Sequence, residues 1–183
     1  MMSKITFVTG NQNKADLMAK YLEAEVEHIK LDLPEIQSLD ITEVVTHKVK
    51  SAFEQVKKPV IIEDTFVAFH ALGRLPGPFI KFFMQELTNA GMCQLMQGYA
   101  DKSATASVNF GYYDGKTVKI FSEELKGTIA DKPQGSRGMG WDPIFIPEGY
   151  QQTRAEMSEE DYKKTSPRYS AIQKIKEYIH HED

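Results

Sequence analysis

The stretch that decides the fold is Lys4-Ile5-Thr6-Phe7-Val8-Thr9-Gly10-Asn11-Gln12-Asn13-Lys14, near the start of the chain. Its first part, Lys4 to Thr9, predicts a short buried strand, and Gly10 to Asn13 predicts a tight loop. From Lys14 to Glu23 the apolar residues recur at helical spacing. A strand, a loop and a helix in this order are typical of an α/β domain.

The rest of the chain continues this alternation without repeats. Ile41 to Val56 has the apolar spacing of an amphipathic helix, and Phe79 to Gly98 that of a helix broken near Asn89-Ala90-Gly91. Asp114-Gly115 is a strong hairpin signal. The other predicted elements are the strands Val60 to Ile62, Ala104 to Tyr113, Thr117 to Phe121, Ser122 to Ile129 and Ile144 to Ile146, and a closing helix from Tyr169 to His180. Strand–helix units followed by a hairpin predict an α/β domain with a mixed sheet.

Bulk composition favours a small-molecule enzyme over a membrane protein or a nucleic-acid binder. The 183 residues are 41% hydrophobic and 26% charged, which suits one domain over residues 1–183. No apolar run approaches the roughly 18 residues of a membrane-spanning helix. The net charge of −4, without a basic block, argues against a nucleic-acid partner. Because Cys93 is the single cysteine, no intrachain disulfide forms, which suits the cytoplasm.

The loop Thr9-Gly10-Asn11-Gln12-Asn13-Lys14 is the first candidate binding site. The start of a helix presents free backbone N–H groups at the positive end of the helix dipole, where phosphate oxygens bind. Gly10 lets the backbone approach a ligand closely, and Lys14 adds a full positive charge. The glycine spacing differs from that of a P-loop. An asparagine-rich turn that only caps the helix explains the same residues.

Glu63-Asp64-Thr65, directly after the apolar strand Val60 to Ile62, is the candidate metal site. Loops at the carboxyl ends of strands form the sites of α/β sheets, and Mg²⁺ prefers carboxylate oxygens together with water and phosphates. Because neighbouring strand residues point to opposite faces, only one of the two carboxylates is expected to reach the site. Glu35, in a loop, is a further candidate ligand. A solvated strand end is the alternative interpretation.

Three further stretches are candidates. Leu72 to Lys81 predicts a rigid loop ending in a lysine at a helix start, which is either a phosphate contact or an exposed side chain. In Gly135 to Phe145, Trp141 either stacks on a base or belongs to the core, and Asp142 can accept a hydrogen bond from a base edge. In Ser166-Pro167-Arg168 the serine predicts an N-cap and the proline the first residue of the last helix.

In their joint order, these motifs resemble those of the inosine triphosphate pyrophosphatase family. They are Thr-Gly-Asn-x-x-Lys at 9–14, Glu-Asp-Thr at 63–65, Gly-x-Leu-Pro-Gly-Pro-x-Ile-Lys at 73–81, Gly-Trp-Asp-Pro-Ile-Phe at 140–145 and Ser-x-Arg at 166–168. The resemblance spans nearly the whole chain. Glu-Asp-Thr is similar to the eukaryotic and archaeal branch, whereas the bacterial branch has Asp-Asp-Ser.

The resemblance implies an elongated, two-lobed α/β fold around a long central mixed β-sheet, with the nucleotide in a cleft between the lobes. It also implies a homodimer that requires Mg²⁺. The implied reaction cleaves ITP, dITP and XTP between the α and β phosphates. The products are the monophosphate and pyrophosphate, and the task is to clear deaminated purines from the nucleotide pool.

Carried over position by position, the resemblance implies a role for each matching residue. Asp64 is the expected base for the attacking water and, with Glu35, a metal ligand. Asp64 and Thr65 are also expected to contact the substrate. The other implied substrate-binding residues are Thr9, Gly10, Asn11, Gln12, Asn13, Lys14, Lys48 and Lys81 for the triphosphate, and Met139, Gly140, Trp141, Asp142 and Arg168 for the base. A triphosphate carries about four negative charges, so lysines and Mg²⁺ suit the charge neutralisation that the reaction needs.

Two positions depart from the family pattern. Pro167 stands where the family has a histidine that helps recognise the 6-oxo group of the base. Tyr162 stands where the family has a lysine, and a shift of register would let Lys163 or Lys164, just after it, replace that lysine. One alternative is therefore a pyrophosphatase of the same fold with relaxed or altered base preference. A nucleotide-binding pseudoenzyme is another, although the lysines and carboxylates of the hydrolytic site are all present.

Overall fold

The computed structural model of the chain describes residues 5–182, with side chains up to residue 179. This part of the chain forms seven β-strands and five α-helices. The strands are β1 Ile5–Val8, β2 Val26–Ile29, β3 Val60–Phe69, β4 Pro76–Gly77, β5 Ser103–Tyr113, β6 Val118–Ile129 and β7 Phe145–Pro147. The helices are α1 Gln12–Leu22, α2 Ile41–Val56, α3 Ile80–Met96, α4 Glu159–Lys164 and α5 Pro167–Glu182. Short 3₁₀ helices cover His70–Leu72, Asp142–Ile144 and Arg154–Glu156.

The strands form one mixed sheet. Their order is β2-β1-β3-β5-β6-β7, and β4 pairs with β3. β1 runs parallel to β2 and β3, whereas β3 is antiparallel to β4 and β6 is antiparallel to β7. The predicted α/β class with a mixed sheet is confirmed. No helix within residues 5–182 is long and apolar enough to cross a membrane.

β3 runs through the acidic residues instead of ending before them. Its pairing with β1 ends where Val8 faces Ile62, so Glu63 and Asp64 lie just past the carboxyl end of β1. The prediction that this strand ends at Ile62 is wrong. An ionised carboxylate needs either water or a cationic partner. Glu63 is buried against the cationic side chains of Lys14 and Arg168, so the strand continues past it without exposing the carboxylate to water.

The chain divides into two compact units. Unit 1 extends up to Asp64 and adds Val108–Glu123 and the residues from Arg168 onward. Unit 2 comprises Thr65–Ser107 and Glu124–Pro167.

Two apolar clusters form the core of unit 1. Phe7 and Ile61 pack with residues of α1 and α5. Val8 and Ile62, the next residues along β1 and β3, pack with residues of α2. Because side chains alternate between the faces of a strand, α1 and α5 cover one face of the sheet and α2 covers the other.

The core of unit 2 forms around α3. Met92 and Met96 pack against the buried β3 residues Val67 and Phe69 and against Phe145 of β7. α3 is interrupted at Thr88, whose φ of 61° and ψ of 174° are not helical. The break lies beside the predicted one at Asn89-Ala90-Gly91.

The bounds of α1, α2, α3 and α5 lie within two residues of the predicted ones, and the strands deviate more. α2 has the predicted bounds, because Asp40 caps it by accepting from the N–H groups of Thr42 and Glu43. α1 begins at Gln12, two residues before the predicted start, because Asn11 is its N-cap. α5 begins at Pro167, as the Ser-Pro pair predicts, and two residues before Tyr169, where the apolar spacing placed its start.

The two strands predicted at Thr117 to Phe121 and Ser122 to Ile129 are one strand, β6. Its partly buried and exposed residues alternate except at Ile120 and Phe121, which are both partly buried, and the strand continues through this break in the alternation. β2, β4 and α4 have no counterpart among the predicted elements.

Candidate active site

Side chains of the loop between β1 and α1 hold the loop in place. Oδ1 of Asn11 accepts from the N–H of Lys14 at 3.4 Å, and Oγ1 of Thr9 accepts from the N–H of Asn11 at 3.2 Å. The N–H groups of the first two helical residues have no acceptor within the helix. Gly10 is exposed, and a Cβ there would meet no atom within 4 Å. The loop therefore offers backbone donors and open space, as an anion site requires.

Lys14 and Arg168 meet at one buried carboxylate, Glu63. Nζ of Lys14 lies 3.0 Å from Oε1 of Glu63. Arg168 donates twice, from Nη2 to Oε1 at 2.8 Å and from Nε to Oε2 at 3.0 Å. The side chain of Glu63 is 0% exposed. The predicted phosphate lysine and the predicted base-side arginine thus share one anchor.

The carboxyl group of Glu63 stays ionised although its side chain is fully buried. Burial alone would raise the pKa of its carboxyl, but the charges and hydrogen bonds of Arg168 and Lys14 outweigh burial and lower the pKa to about 2. Glu63 is therefore ionised at neutral pH and is engaged by cationic side chains of this chain.

Lys48 joins the two carboxylates that were predicted to bind metal. Its Nζ lies 2.7 Å from Oε1 of Glu35 and 2.8 Å from Oδ2 of Asp64. Burial would lower the pKa of this ammonium, but the charges and hydrogen bonds of Asp64 and Glu35 outweigh burial and raise it. Glu35 from a loop, Lys48 from α2 and Asp64 from β3 thus converge on one point.

This arrangement fits a magnesium ion that also binds substrate. In the described part of the chain, no group of three or more His, Cys, Asp and Glu side chains is placed to hold a metal by itself. Mg²⁺ commonly uses one or two carboxylates and takes its remaining ligands from water and phosphates. Glu35 and Asp64 supply two such carboxylates around a point that a cation, the Lys48 ammonium, occupies in this structure.

In unit 2, Asp142 holds the glycine-rich base-side motif. Its Oδ2 accepts from the backbone N–H of Met139 at 2.7 Å and from the hydroxyl of Tyr162 at 2.9 Å. Its Oδ1 accepts from Nε of Arg154 at 2.7 Å. A Cβ at Gly138, where φ is +81°, would collide with the Asp142 carboxylate. Asp142, which is 3% exposed, therefore fixes the course of the loop.

Arg154 and Tyr162 complete this network. The Arg154 guanidinium lies 4.3 Å from the centre of the Tyr162 ring, and its Nη1 donates to the backbone oxygen and Oγ1 of Thr165, each at 2.7 Å. Burial and the Asp142 charge raise the pKa of Tyr162 to about 12. The tyrosine at the family's lysine position thus stays neutral and donates to a carboxylate.

The interruption of α3 supports the same loop from another side. Asn89, next to Thr88, donates from Nδ2 to the backbone oxygen of Gly140 at 2.9 Å. Trp141 is 8% exposed and packs edge-on against Phe145, with ring centres 5.2 Å apart. Of the two interpretations of this tryptophan, the structure gives it the place of a core residue.

The other predicted site residues lie on strands or helix ends. Thr65 is half-buried on β3, and Lys81 is exposed in the first turn of α3. Lys163 and Lys164, considered as replacements for the family's lysine, are exposed at the end of α4.

Four residues have supporting roles that the sequence-based prediction did not assign to them. Glu63 was considered only as a metal ligand, although its position after three apolar strand residues indicates burial and hence a need for cationic partners. Arg154, Tyr162 and Asn89 carry no local signal of a supporting role, because their partners are brought together only by the fold.

Comparison with known proteins gives consistent results. The Ham1 family model matches residues 5–178. The chain is 40% identical over 180 residues to inosine triphosphate pyrophosphatase 2 of Trypanosoma cruzi (strain CL Brener), covering 96% of this chain and 92% of that protein. It is 37% identical over 201 residues to the inosine triphosphate pyrophosphatase of Candida albicans (strain WO-1), covering 97% and 98%.

Solved structures show the same fold. The Ham1 protein of Staphylococcus aureus matches with a TM-score of 0.81 at 22% identity, over 99% of this chain and 100% of that one. A HAM1 protein from Coxiella burnetii matches with a TM-score of 0.84 at 23% identity, over 98% and 100%. The family model covers almost every described residue, and the two curated relatives match over 92% and 98% of their own length. This chain therefore belongs to the Ham1 family.

Proposed function

We propose that this protein hydrolyses ITP, dITP and XTP to the monophosphate and pyrophosphate in a reaction that requires Mg²⁺. Its class, nucleoside triphosphate pyrophosphatase, is supported by the family and by relatives that are named inosine triphosphate pyrophosphatases. The observation that carries the proposal is the convergence of Glu35, Asp64 and Lys48 in the same unit as the loop between β1 and α1.

Positioning and charge neutralisation do most of the work in this reaction. Lys14 and the backbone N–H groups at the start of α1 bind phosphate oxygens, and Lys48 turns from the carboxylates to the triphosphate. Asp64 orients a water molecule and accepts its proton as the water oxygen attacks the α-phosphorus and forms the new O–P bond of the monophosphate. The bond between the α and β phosphates breaks, and pyrophosphate leaves. Glu35 and Asp64 would hold Mg²⁺, which would supply further charge neutralisation and make the attacking water more acidic.

In unit 2, base recognition is assigned to the loop that Asp142 fixes; for Arg168 of unit 1 the resemblance separately leads us to propose a contact to the nucleoside. We propose that Met139 and Gly140 form one wall of the base site, with Trp141 supporting the loop from the core and Asp142 acting through the shape of the loop. The buried hydrogen bonds of Asp142 support this division of roles. The resemblance also leads us to propose a homodimer, and the single cysteine suggests a cytoplasmic location.

One observation favours a second candidate function, a pyrophosphatase of the same fold with relaxed base preference. Pro167, at the start of α5, has neither a side-chain donor nor a backbone N–H. A site that lacks a donor for the distinguishing oxygen rejects other purines less well. A pseudoenzyme is less well supported, since both carboxylates and the lysines are in place.

The experiment is a pyrophosphate-release assay on ITP, XTP, GTP, ATP and the pyrimidine triphosphates, with Mg²⁺ and with chelator. Products are separated by ion chromatography. We expect pyrophosphate as the first product, with Mg²⁺ only, and fastest release from ITP and XTP. Orthophosphate as the first product would disprove the reaction class. Equal rates on ITP, GTP and ATP would support the relaxed variant, and binding without turnover would support the pseudoenzyme.

A further inference from the structure

Glu63 holds two positive charges close together. Nζ of Lys14 and Nη2 of Arg168 both contact the same oxygen, Oε1, at 3.0 and 2.8 Å. Like charges at this spacing repel, and the carboxylate between them offsets the repulsion. The three residues come from the start of α1, from β3 and from the start of α5, all in unit 1.

The position of Glu63 gives it a different task from its neighbour. Asp64 contacts Lys48 of α2, and Glu63 contacts α1 and α5. Adjacent strand residues point to opposite faces of a sheet, so the two carboxylates do not converge on one ligand. Glu63 has a fully buried side chain, so its carboxylate acts through the cations it holds.

We propose that Glu63 is a positioning residue that sets the placement of Lys14 for the triphosphate and of Arg168 for the nucleoside. This inference rests on the proposed function, because it takes Lys14 as a phosphate ligand. A free lysine side chain samples many rotamers, and a contact to a buried carboxylate restricts them before substrate arrives. The two-point contact to Arg168 fixes the plane of the guanidinium.

The proposal predicts that the loss of Glu63 acts through Lys14. In Glu63→Gln the shape is kept, but the negative charge between the two cations is lost. Lys14 and Arg168 then repel each other, and Lys14 leaves its place. We expect binding of inorganic tripolyphosphate to weaken about tenfold, on the scale of one charged hydrogen bond. The double variant Glu63→Gln/Lys14→Met should bind no more weakly than Lys14→Met alone.

The measurement is calorimetric titration of inorganic tripolyphosphate into the whole protein without metal, where no turnover occurs. Circular dichroism first shows that each variant is folded. Glu63→Asp keeps the charge one methylene further back and should recover part of the affinity. Glu23→Gln, which breaks the exposed ion pair with Lys176 in the same unit, is the control and should leave binding unchanged.

Three results would overturn the inference. They are a folded Glu63→Gln protein that binds tripolyphosphate like the wild type, full additivity of the Glu63 and Lys14 changes, and a wild type that binds no more tightly than Lys14→Met.

If Glu63→Gln does not fold, Arg168→Met replaces it. That variant keeps the Lys14–Glu63 contact, so tripolyphosphate affinity should stay while KM for ITP rises. A tenfold loss of tripolyphosphate affinity there would also overturn it.

The same data separate this inference from the proposed function. A wild type that binds tripolyphosphate through Lys14 and Glu63 but releases no pyrophosphate from nucleotides would disprove the function and leave the role of Glu63 intact. Normal pyrophosphate release by the wild type, together with a Glu63→Gln protein that binds tripolyphosphate like the wild type, would support the proposed function and overturn the role of Glu63.

Discussion

Glu63 and Asp64 are neighbours in β3, yet their carboxylates engage cations of different helices. Glu63 contacts Lys14 and Arg168, whereas Asp64 contacts Lys48. The alternation of a strand separates the two tasks, because it directs one side chain toward α1 and α5 and the next toward α2. Single substitutions should therefore separate substrate positioning from the chemistry of the water.

Asp64→Asn should lower kcat by roughly a hundredfold or more, the usual effect of removing a general base. The amide has nearly the same shape and keeps an acceptor for Lys48, so the fold should survive. The measurement is kcat for pyrophosphate release from ITP, with the melting temperature as the check on folding. Near-normal turnover by this variant would mean that another residue activates the water.

Lys48→Met should bind a divalent cation more tightly than the wild type when nucleotide is absent. Nζ of Lys48 lies between Glu35 and Asp64, so ammonium and metal compete for the same two carboxylates. We expect the Kd of Mn²⁺, a paramagnetic probe for Mg²⁺, to fall about tenfold or more by electron paramagnetic resonance.

Lys14→Met is the matched control for this measurement, because it also removes one lysine charge from unit 1 but its Nζ contacts Glu63. Its Mn²⁺ affinity should change much less. If both variants bind Mn²⁺ equally, the effect is one of net charge, and the idea of direct competition at Lys48 is wrong.

Local chemistry made part of this molecule predictable from the sequence. The bounds of α2 follow from the Asp40 cap and from apolar spacing, and the start of α5 follows from the proline at its first position. The interruption of α3 and the hairpin residue Asp114, which accepts from the N–H groups of Lys116 and Thr117, are equally local.

Contacts between distant residues were not predictable. Arg168 is 105 residues from Glu63, and no local pattern indicates that they pair. The length of β3 depends on this contact, because the buried Glu63 would otherwise favour a strand end in water. In the same way, Asp142 looks like a base reader from its motif, and only the fold places Arg154 and Tyr162 against it.

Tyr162→Phe should change how stability depends on alkaline pH. The folded protein raises the pKa of Tyr162 from its ordinary 10.0 to about 12, through burial and the facing Asp142 carboxylate, with Arg154 opposing. Between these values the unfolded chain loses the proton first, so the folded state binds more protons and stability falls as pH rises. This contribution to the free energy of unfolding is fully present below about pH 10 and is lost toward pH 12. The shift corresponds to about 2.7 kcal/mol, or roughly 2 kcal/mol once solvent screening of this partly buried group is allowed for.

Urea unfolding at about pH 9 and about pH 11.5 checks this, using the difference between wild type and variant to remove the titration of other groups. We expect the wild type to lose more free energy of unfolding than Tyr162→Phe between the two pH values. Equal losses would show that the Tyr162 hydroxyl has the same pKa in the folded and the unfolded chain. That result would contradict the raised pKa that burial and the Asp142 carboxylate give it.

Pro167→His should raise the preference for ITP over ATP. Pro167 is buried at the first position of α5, where a residue with an N–H is tolerated because that group has no helical acceptor in any case. A histidine there adds the side-chain donor that proline lacks. Sites that hydrogen-bond a distinguishing group reject analogues without it more strongly than sites that only match its shape. We expect the ITP/ATP ratio of kcat/KM to rise about tenfold, on the scale of one hydrogen bond.

Pro167→Ala, which removes the ring without adding a donor, should leave the ratio unchanged. An equal gain in both variants would assign the effect to the backbone. A wild type that already prefers ITP by about a thousandfold, with no gain from histidine, would mean that Arg168 or the loop fixed by Asp142 reads the base without help from this position.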